Sequence, residues 1–192
     1  MLKEEIVEYC APTLAGIKTA NLFGVAGGLD EIAEEIKKLN QTFIKKGLRV
    51  IPVNCSNRKT LIYIYRPERL KADLEKKIAS DILKDKGYSS LKPECCVVQL
   101  AKRLSRNKDF PHEVGLFLGY PPADVKSFMD NPCDGVKCTG CWKAYSDEKE
   151  AIKTFEKYKK CTSVYKNEIK KGKSLESLIV DTRNQNDYQV AI

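Results

Sequence analysis

Histidine is almost absent from this chain of 192 residues, in which His112 is the only one. Metal sites built from several imidazoles are therefore excluded. A catalytic imidazole must likewise come from His112, because histidine is the one side chain whose ordinary pKa lies near neutral pH.

Long apolar runs are also missing. A helix that crosses a membrane needs ~20 consecutive apolar residues, whereas the longest apolar runs here are as short as residues 61–65. Residues 1–6 are acidic and amphipathic, and they lack the continuous apolar core of a secretory signal. We therefore predict a cytoplasmic protein with no membrane partner.

The eight cysteines are too sparse for a disulfide scaffold. In a reducing cytoplasm they are thiols, metal ligands or redox groups. A chain of 192 residues also buries enough surface to fold without disulfides or a structural metal. Any metal that these cysteines hold is therefore expected to be functional.

Positive charge exceeds negative charge, with 34 basic and 26 acidic residues and a net charge of +8. Such an excess attracts nucleic acids and acidic partners, although a solvated lysine-rich surface is the commoner cause. The sequence has no RNP motif and no helix-turn-helix pattern. A nucleic acid is therefore the weaker choice of partner.

Apolar spacing, prolines and glycines divide the chain into helical segments and strands. The predicted helices are residues 1–10, 13–23, 29–46, 67–86, 93–105, 111–118, 122–129, 147–171 and 174–179. A β-hairpin is predicted over residues 48–66, and a third strand over residues 141–145 has either a parallel or an antiparallel partner.

These elements predict an α+β fold. We expect one helix-rich domain over residues 1–180, built around a small and mainly antiparallel sheet. Residues 181–192 are polar and are expected to form a frayed tail.

Five segments resemble one protein family. They are Tyr9–Phe23, Tyr65–Pro67, Phe110–Pro121, Cys138–Tyr145 and Tyr158–Thr162. Together they make most of the chain similar to the domain of unknown function 3793, a family of clostridial and related anaerobe proteins. The resemblance implies a cytoplasmic protein of anaerobes and carries over no catalytic role.

A cysteine motif gives the strongest chemical pattern. Cys133-x4-Cys138-x2-Cys141 has the spacing of three cluster ligands in plant-type ferredoxins, and Cys161 is the candidate for the fourth. Four thiolates in a tetrahedral arrangement also suit zinc. The candidate cofactor is therefore an iron–sulfur cluster or a zinc ion, and a loop with incidental thiols is the alternative.

The same motif contains a CxxC pair, Cys138 and Cys141. Such a pair cycles between dithiol and disulfide when one thiol has a lowered pKa. Thioredoxin-like sites place the pair between a strand and a helix, whereas here it precedes the predicted strand. A cysteine-based metal, iron–sulfur or redox protein is the leading functional hypothesis.

A thiol enzyme is another hypothesis, with Cys10 as the nucleophile and His112 as the base. Cys10 lies close to a predicted helix start, where the helix dipole favours a thiolate. His112 and Glu113 lie at another predicted helix start, so the alternative is that they cap or pack there. No thiol-protease pattern surrounds Cys10.

A binding module for an anionic ligand is the main rival hypothesis. Arg66 lies between a predicted strand and a predicted helix, where a guanidinium can hold a phosphate or carboxylate. Lys143 and Tyr145 would join it if the strands are neighbours. The lysine-rich segment 143–173 extends the same positive surface, although exposed lysines usually serve solvation.

Overall fold

A three-stranded antiparallel sheet lies at the centre of the protein. The computed structural model describes residues 2–55, 58–106 and 110–182, and its strands are β1 (Ala20–Ala26), β2 (Arg49–Cys55) and β3 (Lys59–Tyr65). Strand β3 is central, because the order is β1-β3-β2. The predicted hairpin over residues 48–66 is confirmed as β2 and β3, and the predicted α+β class is confirmed with it.

Helices cover both faces of this sheet. Those in the described residues are α1 (Leu2–Leu14), α2 (Leu29–Phe43), α3 (Pro67–Leu74), α4 (Lys77–Asp85), α5 (Pro93–Arg106), α6 (Val114–Phe117), α7 (Pro122–Asp130) and α8 (Glu148–Lys170). Short 3₁₀ turns follow at Ile44–Lys46 and Glu176–Leu178. Within these ranges no helix combines the length and the apolar character needed to cross a membrane.

The pleat of β3 separates two hydrophobic cores. Ile62 and Ile64 point to one side, where they pack with residues of α1, α2 and the segment around Leu175. Tyr63 and Tyr65 point to the other side and pack with residues of α3 to α7. Helix α8 lies along α1, at the edge of the core that contains residues of α1 and α2.

The predicted helix over residues 13–23 is wrong. Pro12 lies inside α1, which continues to Leu14, and Gly16 with a φ of 76° turns the chain toward β1. Strand β1 places its side chains in both cores. A strand buried on both faces has no polar alternation, so its short apolar sequence did not distinguish it from a helix.

Two other predicted elements differ from the structure. The helix predicted over residues 67–86 divides into α3 and α4, because Lys76 adopts an extended ψ of 136°. The strand predicted over residues 141–145 is only Lys143–Ala144 (β5), and it pairs with Cys138–Thr139 (β4) in a separate antiparallel sheet. A parallel partner for it in the main sheet is therefore excluded within the described residues.

Most other helix boundaries agree with the sequence, although the helix predicted over residues 111–118 is only Val114–Phe117 and the one predicted over residues 174–179 is the 3₁₀ turn Glu176–Leu178. Asp147 caps α8, because its Oδ1 accepts a hydrogen bond from the Glu150 amide at 3.0 Å. Gly47 ends the 3₁₀ turn after α2 with a φ of 75°, in the left-handed region that favours glycine. Of the predicted tail, residues 183–192 lie outside the described residues.

The guanidinium of Arg66 joins three distant parts of the chain. Arg66 is 1% exposed. Its Nε and Nη2 donate to the carbonyl oxygens of Thr13 and Leu14 at the end of α1, at 2.7 and 2.8 Å. Nη2 donates a second hydrogen bond, to Val180 O at 2.8 Å. Nη1 donates to Thr182 Oγ1 at 2.8 Å and to Lys46 O at 3.4 Å. These contacts account for all five donors of a guanidinium.

Replacement of Arg66 by methionine should destabilise the fold strongly. The change removes every donor from a group of buried acceptors, so we expect the free energy of unfolding to fall by about 3 kcal/mol or more. Arg66→Lys keeps the charge but offers three donors at most, and we expect an intermediate loss. Urea unfolding measures both changes.

The matched control is Arg69→Met. Arg69 is exposed, and its Nη1 donates a hydrogen bond to Gly16 O at 2.7 Å. We expect a loss of less than about 1 kcal/mol for this variant. Equal losses for Arg66→Met and Arg69→Met would contradict the central role of the buried guanidinium.

Candidate functional site

A cavity of about 490 Å³ opens between α1, α8 and the turn that joins β4 to β5. We call it the lysine cavity. It is lined by Glu8, Tyr9, Pro12, Lys18, Asn21, Cys141, Phe155, Tyr158, Lys159, Thr162, Ser163 and Lys166.

Lys18 reaches this cavity because of the way α1 ends. The amides of Ile17 and Lys18 both donate to the Pro12 carbonyl oxygen, at 3.0 and 3.1 Å, which folds the chain back after Gly16. The chain then enters β1 at Ala20. Lys18 is held at this tight connection and is 5% exposed.

The ammonium of Lys18 has an unusual set of neighbours. Its Nζ lies 5.4 Å from the ring centroid of Tyr120 and 5.9 Å from that of Tyr158. In the part of the chain that the structure describes, Lys18 forms no ion pair and its Nζ donates no hydrogen bond. Two aromatic faces are therefore its main electrostatic partners.

Burial lowers the pKa of Lys18 from its ordinary 10.5 to about 8, and nearby Cys10 and Cys141 oppose this shift only in part. Desolvation disfavours the charged form of an amine, and no carboxylate among the described residues compensates for it. Lys18 therefore exists as a mixture of ammonium and neutral amine at slightly alkaline pH.

The other charges of the lysine cavity are already paired or lie at its rim. Lys166 of α8 pairs with Glu8 of α1 across one side. Lys159 is exposed. The Asn21 side chain accepts a hydrogen bond from Thr13 Oγ1 at 2.8 Å. The cavity therefore has a positive rim and an unpaired cation in its wall.

An aromatic wall bounds the lysine cavity on the side of the β4–β5 hairpin. Trp142 stacks on Tyr120 with ring centroids 5.1 Å apart, and it meets Phe155 edge-on at 4.6 Å. Gly140 is required beside this wall, because a Cβ there would lie 2.3 Å from the Phe155 ring. Phe155 lines the lysine cavity, whereas Trp142 and Tyr120 line a second cavity of about 400 Å³, which we call the aromatic cavity.

Asp124 of α7 holds the aromatic wall in place. Its carboxylate accepts hydrogen bonds from Trp142 Nε1 at 2.8 Å, from the Tyr145 amide at 3.0 Å, and from the amide and hydroxyl of Ser146 at 2.8 and 2.7 Å. Burial raises the pKa of Asp124, but these four hydrogen bonds outweigh it and keep the pKa below its ordinary value. Asp124 is therefore a structural anion.

The four cysteines predicted to bind a metal do not come together. Cys133 and Cys141 are exposed, while Cys138 and Cys161 are half-buried. Across residues 2–55, 58–106 and 110–182, no three histidine, cysteine, aspartate or glutamate side chains are grouped so as to hold a metal ion. The β4–β5 pairing fixes Cys138 opposite Ala144, so this segment is a hairpin rather than a loop that wraps a cluster.

The CxxC pair also lacks an activated thiol. Desolvation raises the pKa of the Cys138 thiol, and nearby Glu148 and Asp124 raise it further. Desolvation also raises the pKa of Cys141, although nearby Lys18 lowers it by a smaller amount. Redox pairs usually depend on a lowered thiol pKa, so the structure gives no support to a thioredoxin-like role.

Cys10 and His112 lie on opposite sides of the central sheet. Cys10 belongs to α1 and is fully buried in the core that this helix covers. Burial raises the pKa of its thiol. His112 is exposed and meets Phe128 edge-on at 5.1 Å in the aromatic cavity. Glu113 is paired with Arg103 Nε at 2.7 Å. The predicted thiol is therefore remote from the predicted base and carboxylate.

Arg66 is separated from Lys143 and Tyr145, the other two residues predicted to hold an anion. All donors of Arg66 are used inside the fold. Lys143 Nζ and Tyr145 Oη both donate to Pro132 O, at 2.9 and 3.1 Å, beside the aromatic cavity. Sequence reasoning missed Lys18 instead. One sequence feature could have identified it: Lys18 is the only charged residue between Glu8 and Asp30.

Replacement of Lys18 by methionine should change how stability depends on pH. The Lys18 pKa is 10.5 ordinarily and about 8 in the fold, so this group binds more protons in the unfolded chain between these values, and its contribution to stability rises with pH across them. Lys18→Met lacks this group. We expect it to exceed the wild type by a few kcal/mol below pH 8 and to lose that advantage toward pH 10.5.

Urea unfolding across this pH interval measures the effect. Lys102→Met is the control, because Lys102 is exposed on α5. This variant should follow the wild-type pH dependence. Parallel stability curves for the wild type and Lys18→Met would contradict this prediction, because they would mean that burial does not disfavour the charged form of Lys18.

Comparison with known proteins identifies a family but no function. No curated protein and no solved structure matches the chain. Residues 6–179 match the family model described as a protein of unknown function, DUF3793. That match covers the whole lining of the lysine cavity, with Lys18, and both hydrophobic cores except Leu2. The chain therefore belongs to the DUF3793 family.

Proposed function

We propose that this protein binds a small anionic ligand in the lysine cavity, with Lys18 as the principal contact. One observation carries this proposal. The Lys18 side chain is 5% exposed and has no carboxylate partner in the described ranges, yet it lines a cavity large enough for a ligand.

The energetics favour an anion at this position. Taking an ammonium out of water costs several kcal/mol unless a counter-charge or hydrogen bonds offset it. The rings of Tyr120 and Tyr158 offset part of this cost. A carboxylate or phosphate beside Nζ would offset more, because charges attract strongly where water is largely excluded.

The cavity also suits the size of a small molecule. Its volume of about 490 Å³ falls in the range of ligand sites, which commonly enclose ~300–1,000 Å³. Asn21, Tyr158, Thr162 and Ser163 supply polar groups around the lining. Lys159 adds positive charge at the rim, where it would attract an anion before contact.

A nucleic acid is less well supported as the ligand. The lysines of α8 are interleaved with acids, so that Lys153 pairs with Glu150 and Lys171 with Glu168. A backbone-binding surface needs a row of lysines that meets phosphates. Lys18 instead lies in the wall of a concave site of limited volume, which favours a small ligand over a polymer.

Binding of lactate and inorganic phosphate tests the proposal. We expect amide signals of residues around the lysine cavity to shift in an NMR titration of the wild-type protein. Lys18→Met should weaken binding by about tenfold or more, which corresponds to ~1.4 kcal/mol. Affinity should also fall as pH rises past about 8, because Lys18 then loses its positive charge.

The Lys102→Met variant again serves as the control and should bind both anions as the wild type does. Undiminished affinity in Lys18→Met would place the anion elsewhere. Failure of both anions to shift cavity signals at millimolar concentration would count against the proposed function itself.

A further inference from the structure

We propose that Lys18 acts as a nucleophilic amine and forms a reversible imine with a small carboxylate ligand that carries a carbonyl group, such as a 2-oxo acid. This inference rests on the proposed function, because it places a reactive ligand in the same cavity.

Lys18 differs from every other lysine that the structure describes. It is the one lysine in those ranges that is buried, and its Nζ donates no hydrogen bond there. An amine tied to a carboxylate must break that ion pair before it attacks a carbonyl. Lys18 needs no such step, and its amine already borders the cavity that would hold the carbonyl.

The protonation state of Lys18 supports this role. A pKa of about 8 leaves about a quarter of the amine neutral at pH 7.5, whereas its ordinary value of 10.5 would leave about one molecule in a thousand neutral. Lysines that form imines with carbonyl substrates are commonly activated by such desolvation. Tyr120 and Tyr158 supply the desolvating surface.

The reaction balances without any further reagent. The lone pair of Nζ attacks the carbonyl carbon, and a proton moves from nitrogen to oxygen to give a carbinolamine. The carbinolamine oxygen then takes up one proton from solvent, equal to the one that the Lys18 ammonium released on becoming the neutral amine. The carbon–oxygen bond breaks, water leaves, and a protonated imine remains. That imine keeps one positive charge, so an adjacent carboxylate of the ligand stays paired with it.

The surrounding groups suit a carboxylate next to the reacting carbon. Asn21 and Thr162 line the same cavity as polar neighbours, and Lys159 lies at its rim. Burial raises the pKa of the Tyr158 phenol to about 12, so this residue remains a neutral hydrogen-bond donor throughout the pH range in which Lys18 reacts.

Borohydride trapping with pyruvate tests the inference. Reduction converts the imine to a stable secondary amine, which intact mass and peptide mapping locate. We expect one adduct per chain at Lys18, formed about tenfold faster than at any exposed lysine. The rate should rise with pH toward about 8, as the neutral amine becomes more abundant, and fall at higher pH, where binding of the anion weakens.

Two variants and one matched anion make the outcomes distinct. Lactate has no ketone and should give no adduct. Lys18→Arg retains a cation but no reactive amine, so it should bind lactate and lose the pyruvate adduct. Lys102→Met should give the wild-type adduct.

Lactate binding without a pyruvate adduct at Lys18 would overturn the imine and leave the proposed anion site intact. Adducts spread over exposed lysines, and equally abundant in Lys18→Arg, would overturn it as well. Failure of lactate, phosphate and pyruvate to bind would overturn both proposals together.

Discussion

The hydrogen bonds of the Arg66 guanidinium fix the geometry on which the candidate site depends. They hold the last carbonyls of α1 against the start of α3 and against the segment around Val180. Gly16 lies directly beside this group, because a Cβ there would be 2.8 Å from Thr182 and 3.8 Å from the Arg66 guanidinium carbon. The tight turn that follows α1 is therefore set by a buried cation, and that turn places Lys18 in its cavity.

The two buried cations have opposite consequences because their surroundings differ. Arg66 is surrounded by carbonyl and hydroxyl oxygens that accept all of its hydrogen bonds, so it stabilises the fold and has no donor left for a ligand. Lys18 is surrounded by aromatic rings and thiols. Lys18 is therefore the cation that an anionic ligand would stabilise, although sequence analysis singled out Arg66.

Much of the fold could be predicted from the sequence, since α2, α5, α8 and the β2–β3 hairpin have clear apolar periods or end at proline, glycine or a capping aspartate. Strand β1 could not, because burial on both faces removes polar alternation. The candidate site was predicted only in that Cys141 lines it. Cysteine spacing does not determine whether thiols converge, and it carries no information about a lone lysine enclosed by rings from distant helices.

The Arg66 contacts also determine when the fold can be completed. Val180 and Thr182 lie 114 and 116 positions after Arg66 along the chain. During synthesis on the ribosome, the hydrogen bonds to Val180 and Thr182 can therefore form only after α8 and the segment beyond it have emerged. Helix α8 also lines the lysine cavity, so the cavity is among the last features of a newly made chain to be completed. The complete lining of the cavity, which extends to Lys166, is therefore present only in chains whose translation is nearly finished.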